Sequence, residues 1–476
     1  MTRSPGTGRW RRRSREALLI TLVWSTAFLV FRSAPVHQLH DSKYTMLLAE
    51  NLLVHRDFDL ARYDLPSDDY HLRTVGAHRY YFFPAGPAVL SVPFVAAMHA
   101  RKVSAVRADG SYDERGELAL DARLAALLMA AFAVLAYATA RLLLPAGWSL
   151  GVAAVAAFGT QVLSTASRSV WSDTWGILLV GAGVFLLLHA ASRASRASLG
   201  SRMSRVSRGA PASAVLLATT LGLAYVVRPT NALAVAGVGV YLLVTERRAF
   251  SLFAVTIALI AGLFVAHSWH LFHAPLPPYF AGDRLDFRTP WVAIAGNLVS
   301  PSRGLLVYVP AVIAVGLTLA RHRRTLRLRG LLGVAAFVVV AHFVAIAGFW
   351  DWWGGHSYGP RLTTSLVPWF VLLAVLAVDA ARDTAGSHGT RPGDATFAAV
   401  AGVLCAASVA MNAVGACSFE ADRWNITADN INSDTARLWS WRRPQFLALI
   451  VPAPVASARA SPVAGSGPGP GAGVGH

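Results

Sequence analysis

Charge is scarce in this sequence. Of its 476 residues only 14% are Asp, Glu, Lys or Arg, whereas 55% are hydrophobic and the mean hydropathy is +0.47. So little charge, with apolar segments repeating between short arginine-rich pieces, excludes a solvated or disordered chain and marks a polytopic helical membrane protein. Cysteine is nearly missing as well. Cys405 and Cys417 stand twelve residues apart, about 18 Å at the helical rise, so they do not pair along one helix. No group of ligating side chains has the spacing of a metal site, and neither a metal nor a cofactor is expected. Convincing internal repeats are absent and polar residues gather at span ends, which speaks against a secondary transporter with its midspan ionisable groups.

What the chain does have is arginine. The net charge is +18, concentrated in three acid-poor clusters: residues 3–15 with six arginines, 192–209 with five, and 321–329 with five. They lie between apolar runs and form no soluble basic face, so they read as positive-inside topology signals and no nucleic-acid partner is expected. The first cluster leads into a full-length apolar stretch from Ala17 to Ala34 with no small-residue cleavage site, which reads as a retained first span.

Spans of about 20 residues are expected near 16–34, 119–143, 148–166, 173–190, 212–227, 231–245, 249–272, 304–320, 330–349, 363–380 and 396–416. A twelfth apolar stretch at 84–100 is short and holds three prolines. All three arginine clusters share the cytoplasmic side only if this stretch lies on or dips into the outer leaflet. The fold expected is therefore an all-α bundle of about eleven transmembrane helices, with an interfacial segment in a first outer loop, residues 35–118.

Every chemically unusual stretch then falls on the outward face. The first loop carries QLHDSKYTMLLAENLLVH and later HRYYFFPAGP; the second is SRSVWSDTW, the third RPT, the fourth ends in SPSRG, and the fifth is WDWWGGHSYGPR over 350–361. Inward loops offer arginine, serine and glycine. Asp41 precedes a helical pattern with Tyr44, Leu47, Leu48 and Leu52 on one stripe, near the membrane surface, where a carboxylate can accept a proton from a substrate hydroxyl. Its other reading is an N-cap. Asp173, at the outer end of a span, has the same two readings. Glu50, Asp57 and Asp59 read as solvated or turn residues. Arg228 stands between two short apolar runs, either paired and facing a cavity or snorkelling at the interface. Arg303 opens a helix after a proline turn, with the hydroxyls of Ser300 and Ser302 beside it; that is a phosphate contact or simply a loop-to-helix turn.

The fifth loop reads as a binding wall or as an interfacial aromatic belt. Trp353 can stack on a sugar, Tyr358 and His356 can hydrogen-bond, the glycines let backbone approach, and Arg361 is suited to phosphate. His55, His71 and His78 are scattered and read as surface or hydrogen-bonding residues.

In order, HDSKY, YYFFPAGPAVL and GTQVLSTASRSVWSD resemble the GT-C superfamily of integral-membrane glycosyltransferases, the group that includes protein O-mannosyltransferases and lipid A aminoarabinose transferases. The resemblance covers residues 15–245 and more loosely the rest. It implies a sugar transfer at the outer membrane surface from a polyprenyl-phosphate donor; the membrane expected is a bacterial cytoplasmic one, the acceptor an envelope component, and direct attack opposite the phosphate would invert the anomeric centre. Asp41 matches the first-loop catalytic carboxylate and Asp173 the acid of the second outer loop. One departure stands out: aminoarabinose transferases carry a Glu-Lys pair before the prolines, where this chain has Phe82 and Phe83. A lipid-linked polymer ligase or a precursor transporter is the alternative.

The chemistry also follows from residue types. Displacing a lipid phosphate from an anomeric carbon builds charge on the phosphate, which arginine forks hold, and needs one carboxylate to deprotonate the incoming hydroxyl. The expected organisation is a basic cytoplasmic N-terminus at 1–15, the transferase at 16–416, an outward C-terminal segment at 417–455 and a low-complexity, disordered tail at 456–476. The N-x-T pattern at Asn425 reads as chance.

Overall fold

The computed structural model describes residues 5–199, 210–282, 285–388, 393–426 and 430–451. Most of the 192–209 cluster and the 456–476 tail lie outside the described residues, as do the first residues of the N-terminus. Sixteen helices and one hairpin are described: α1 Pro5–Ser33, α2 Thr45–His55, β1 Leu72–Val75, β2 His78–Tyr81, α3 Gly86–His99, α4 Glu114–Arg141, α5 Ala146–Phe158, α6 Ser172–Leu199, α7 Ala210–Val227, α8 Ala232–Thr245, α9 Arg247–Phe272, α10 Pro290–Val299, α11 Leu305–Tyr308, α12 Ala311–Arg321, α13 Arg329–Ala347, α14 Val367–His388, α15 Asp394–Cys417 and α16 Phe419–Arg423. The chain is an all-α polytopic membrane bundle. The expected span regions are largely helical, and among the described residues seven helices (α1, α4, α6, α9, α13, α14 with the turn before it, and α15) are long and apolar enough to cross a membrane.

Burial separates the centre from the rim. The apolar stretches of α4 and α14 are 61% and 72% buried, against 11% in α1, α9 and α15. A helix that is apolar all round and buried belongs in the middle, whereas exposed leucines such as Leu18, Leu22, Leu259 and Leu263 suit a lipid-facing surface. α1, α5 and α6 pack on α4, and α7 links α6 to α9.

Two expected spans are interrupted, each for a local reason, and the loop expected at 228–230 is a third break. α5 ends at Phe158, and the chain continues through a π-turn over Val162–Ala166 before the second outer loop; such turns break the regular hydrogen-bond ladder. Pro310 separates α11 from α12 because it lacks an amide hydrogen. Arg228 and Pro229 break the run between α7 and α8 through a 3-10 turn.

Residues 35–118, the expected first outer loop, are more structured than the sequence suggested. Residues 72–81 form an antiparallel hairpin pairing Leu72 with Tyr81 and Val75 with His78, outside the all-α expectation. The 84–100 segment is α3, with Pro93 inside it, packed against α2 and α4. Gly86 seats α3 on α7: a Cβ there would lie 2.9 Å from the Val226 carbonyl oxygen.

Candidate functional site

Asp41 is not the cap of α2. The residue at the cap is Tyr44, in the left-handed region at φ 70° and without a side-chain bond to the helix amides. The free amides at this helix start are taken by Glu117 of α4, which accepts from Tyr44 N at 3.0 Å and Met46 N at 2.8 Å. Tyr112 also donates its hydroxyl to Glu117 at 2.6 Å. The carboxylate that serves α2 thus comes from another helix, and Asp41 is left to face outward into a cleft.

There it is paired with Arg361, 320 residues away in sequence. The side chain of Asp41 is 30% exposed and that of Arg361 11%. Arg361 also lies over the ring of Trp171, 4.0 Å from its centroid, a cation–π contact that fixes the guanidinium plane. Asp41, Arg361, Trp171, Tyr81, Phe83 and Tyr279 are among the residues lining the cleft. Loops that are far apart in sequence, the expected first, second, fourth and fifth outer ones, therefore build one wall.

Asp173 and Arg228 form a second pair directly behind this wall. Arg228 donates from Nη1 to Asp173 Oδ2 at 2.8 Å and to Ser172 Oγ at 2.9 Å. Ser365 donates to Asp173 Oδ1 at 2.6 Å, and its 3-10 turn begins at Arg361. Asp173 is fully buried and Arg228 is 6% exposed, so Arg228 is paired and does not snorkel. A buried carboxylate bonded on both oxygens, by arginine and by serine, is fixed in place and fixes what it touches.

The electrostatics around the cleft follow from burial. His40, next to Asp41, is pushed down to about 4 by burial, with Asp41 raising it and Arg361 lowering it; it is neutral at pH 7. Three buried nitrogens around the pair, His40 Nε2, Trp171 Nε1 and Arg361 Nε, have no hydrogen-bond partner among the described residues. Among the described residues no group of three or more His, Cys, Asp or Glu is placed to hold a metal ion.

An apolar groove of about 120 Å³ adjoins the cleft. Tyr81, Phe83 and Pro84 line both, so the YYFFP stretch is the partition between them. Val89 of α3, Leu223 of α7, and Phe264 and Leu271 of α9 form the groove's walls.

The other expected site residues lie elsewhere. Arg303 is 1% exposed, with Nε on Trp353 O at 2.8 Å, Nη1 on Gln445 Oε1 at 2.6 Å and Nη2 on Asn425 Oδ1 at 2.8 Å. Its fork is consumed by protein oxygens and it lines no part of the cleft. Ser300 and Ser302 likewise hold the C-terminal segment, at Leu438 O and Gln445 N. Tyr358 is buried, donating to Met411 O at 2.6 Å. Trp353 is buried and donates to Asn432 Oδ1 at 2.9 Å. His356 bonds Asn430 Oδ1 at 2.8 Å, and its ring lies 6.5 Å from that of His40, so it stands near the cleft without lining it. Glu50, expected to be solvated, is 2% exposed and accepts from Ser104 Oγ and Ala105 N. His71, expected at the surface or in a hydrogen-bonding role, takes the second: it is 4% exposed and bonded to Asp69 and to His40 O. Asn425 is 1% exposed, which leaves its side chain in the protein interior.

Sequence reasoning missed Glu117, Trp171, Ser365 and Gln445. Glu117 lies two residues before the expected 119–143 span, among charges that resemble a solvated face, and nothing local marks it. Trp171 had a signal, its place two residues before Asp173 in the second outer loop.

No family model matches this chain, and no curated protein matches it. Among solved structures, the chain is similar to the oligosaccharyltransferase of Archaeoglobus fulgidus in its apo form, at 14% identity and a TM-score of 0.47. That alignment covers 90% of this chain and 60% of the archaeal one, so the chain spans about three fifths of its length. The match is archaeal and lends no support to the bacterial source expected from the sequence.

Proposed function

We propose that this protein is a GT-C-like glycosyltransferase with about eleven membrane-spanning helices, which moves a sugar from a polyprenyl-phosphate donor to an envelope acceptor at the outer membrane face. One observation carries the reading. A carboxylate suited to act as base and an arginine suited to hold phosphate meet in a polar cleft that adjoins an apolar groove. A lipid phosphate has the same two-part chemistry, an anionic head and a long apolar tail. The ordered sequence motifs in residues 15–245 support the same class.

In this reading the prenyl chain enters past Val89 and Leu223, and its phosphate reaches Arg361. Phosphate oxygens compete with Asp41 for the guanidinium fork, and the unpartnered Arg361 Nε and Trp171 Nε1 add donors. Released from Arg361, the Asp41 carboxylate is the stronger base. It takes the proton of the acceptor hydroxyl while that oxygen attacks the anomeric carbon; the bond from that carbon to the phosphate oxygen breaks, and the electron pair leaves with polyprenyl phosphate. Attack opposite the phosphate inverts the centre. Asp173 holds Arg228 in place behind Arg361, so its task here is positioning, and proton transfer falls to Asp41. With Phe82 and Phe83 in place of a Glu-Lys pair, the phosphate charge falls to the arginines, and the proposal needs no metal. Trp353, His356 and Tyr358 shape the wall from behind.

The test is transfer from a labelled polyprenyl-phosphate sugar in proteoliposomes. Asp41→Asn is expected to lower the turnover rate by roughly 10²–10⁴-fold, the range for a lost general base, with donor binding preserved. Full turnover by Asp41→Asn overturns the assignment.

A further inference from the structure

The C-terminal segment after α15 does more than cover the outer face. We infer that Gln445 is a positioning residue for Arg361, an inference that rests on the phosphate-holding role proposed for that arginine. Gln445 is fully buried and uses both ends of its amide. Its Oε1 accepts from Arg303 Nη1 at 2.6 Å and from the Gly359 amide at 3.0 Å. Its Nε2 donates to Ser357 O at 3.0 Å and to Ala421 O at 2.9 Å. Arg303 completes the clamp through Trp353 O at 2.8 Å and Gly355 O at 3.3 Å.

The turn from 353 to 359 is thus gripped at four backbone groups by two side chains from other parts of the chain. It needs that grip. Gly354, Gly355 and Gly359 all take positive φ, at 72°, 62° and 57°, a conformation that glycine permits but does not enforce, so the free turn would sample many alternatives. Arg361 follows two residues after Gly359, and its amide bonds the Gly359 carbonyl at 3.0 Å. Holding the turn therefore holds the guanidinium at Trp171 and Asp41 before any ligand arrives, which saves the ordering cost at binding. Only an amide supplies this pattern. A carboxylate at 445 would keep the bonds from Arg303 and Gly359 but face the Ser357 and Ala421 carbonyls with no donor.

The experiment measures binding of a short-chain polyprenyl phosphate to the purified full chain in detergent, with thermal stability recorded for each variant. Arg361→Ala is expected to weaken binding by at least about tenfold, as for a lost charge-assisted hydrogen bond. Gln445→Leu is expected to weaken it by about tenfold, a loss equivalent to about one or two neutral hydrogen bonds. Arg437→Ala is the control, because Arg437 braces Trp424 within the same segment (its Nη2 donates to Trp424 O at 2.9 Å); it should stay within about twofold of wild type. Should Gln445→Leu not fold, Gln445→Glu replaces it, with an expected loss of about threefold. Wild-type affinity in the Gln445 variant, or an equal loss in Arg437→Ala, overturns the positioning role. Unchanged affinity in Arg361→Ala overturns the phosphate-holding reading beneath it.

Discussion

Two carboxylate–arginine pairs sit on one side of this bundle, and they are built differently. Asp173–Arg228 is sealed, its side chains 0% and 8% exposed, with Ser365 and Ser172 completing the shells of carboxylate and guanidinium. Asp41–Arg361 opens onto the cleft, with 30% and 11% exposure and a guanidinium Nε left without a partner. Saturated bonding and burial make the first pair a fixture. Exposure and unmet donor capacity make the second one exchangeable, so that a ligand anion can take the place of the carboxylate.

The comparison breaks most sharply at the sealed pair. Asp173→Ala leaves Arg228 buried without its counter-charge, which is expected to cost roughly 3–5 kcal/mol of stability. Asp41→Ala, by contrast, removes a partly exposed partner and should cost no more than about 1 kcal/mol. Thermal denaturation of the two variants in detergent checks the contrast, and equal destabilisation would erase the distinction. Next in size is Arg361→Lys. Lysine keeps the charge but loses the planar fork and its stacking on Trp171, so donor affinity should fall by roughly 5- to 30-fold, about 1–2 kcal/mol, with little change in melting temperature.

A separate effect expected is acid sensitivity on the cleft side. Burial lowers both His37 and His40 to about 4, from an ordinary value of 6.5. Between those values the unfolded chain binds protons that the folded chain refuses, so the protein keeps its full stability above about pH 6.5. It loses stability progressively as the pH falls toward 4. Melting temperatures measured from pH 7.5 down to pH 4.5 should decline along this range, and His40→Asn should flatten the slope.

Much of the fold was legible because apolar length and arginine placement are direct physical signals. The expected span regions are largely helical, seven helices among the described residues being long and apolar enough to cross a membrane, and Asp41, Asp173, Arg228 and Arg361 do converge. What the sequence hid are contacts made across the chain. Arg303 looked like a phosphate ligand because a lone arginine after a proline turn has no visible partner, but its partners lie more than a hundred residues further on, at Asn425 and Gln445. Asp41 could not be told from a helix cap until Glu117, carried on α4, filled that role. Glu50 looked solvated because its burial depends on residues 104 and 105 folding back over it. The interruptions at Pro310 and after Phe158 were masked by hydropathy, which sums apolar residues without registering a break in hydrogen bonding.

The most direct test is a structure of the protein with a polyprenyl phosphate analogue bound. The account predicts the prenyl chain in the groove beside Phe83, the phosphate on Arg361, and Asp41 separated from that arginine while Asp173 and Arg228 remain joined. A phosphate bound away from Arg361, or along a path through the bundle with the Asp41–Arg361 pair intact, would contradict it.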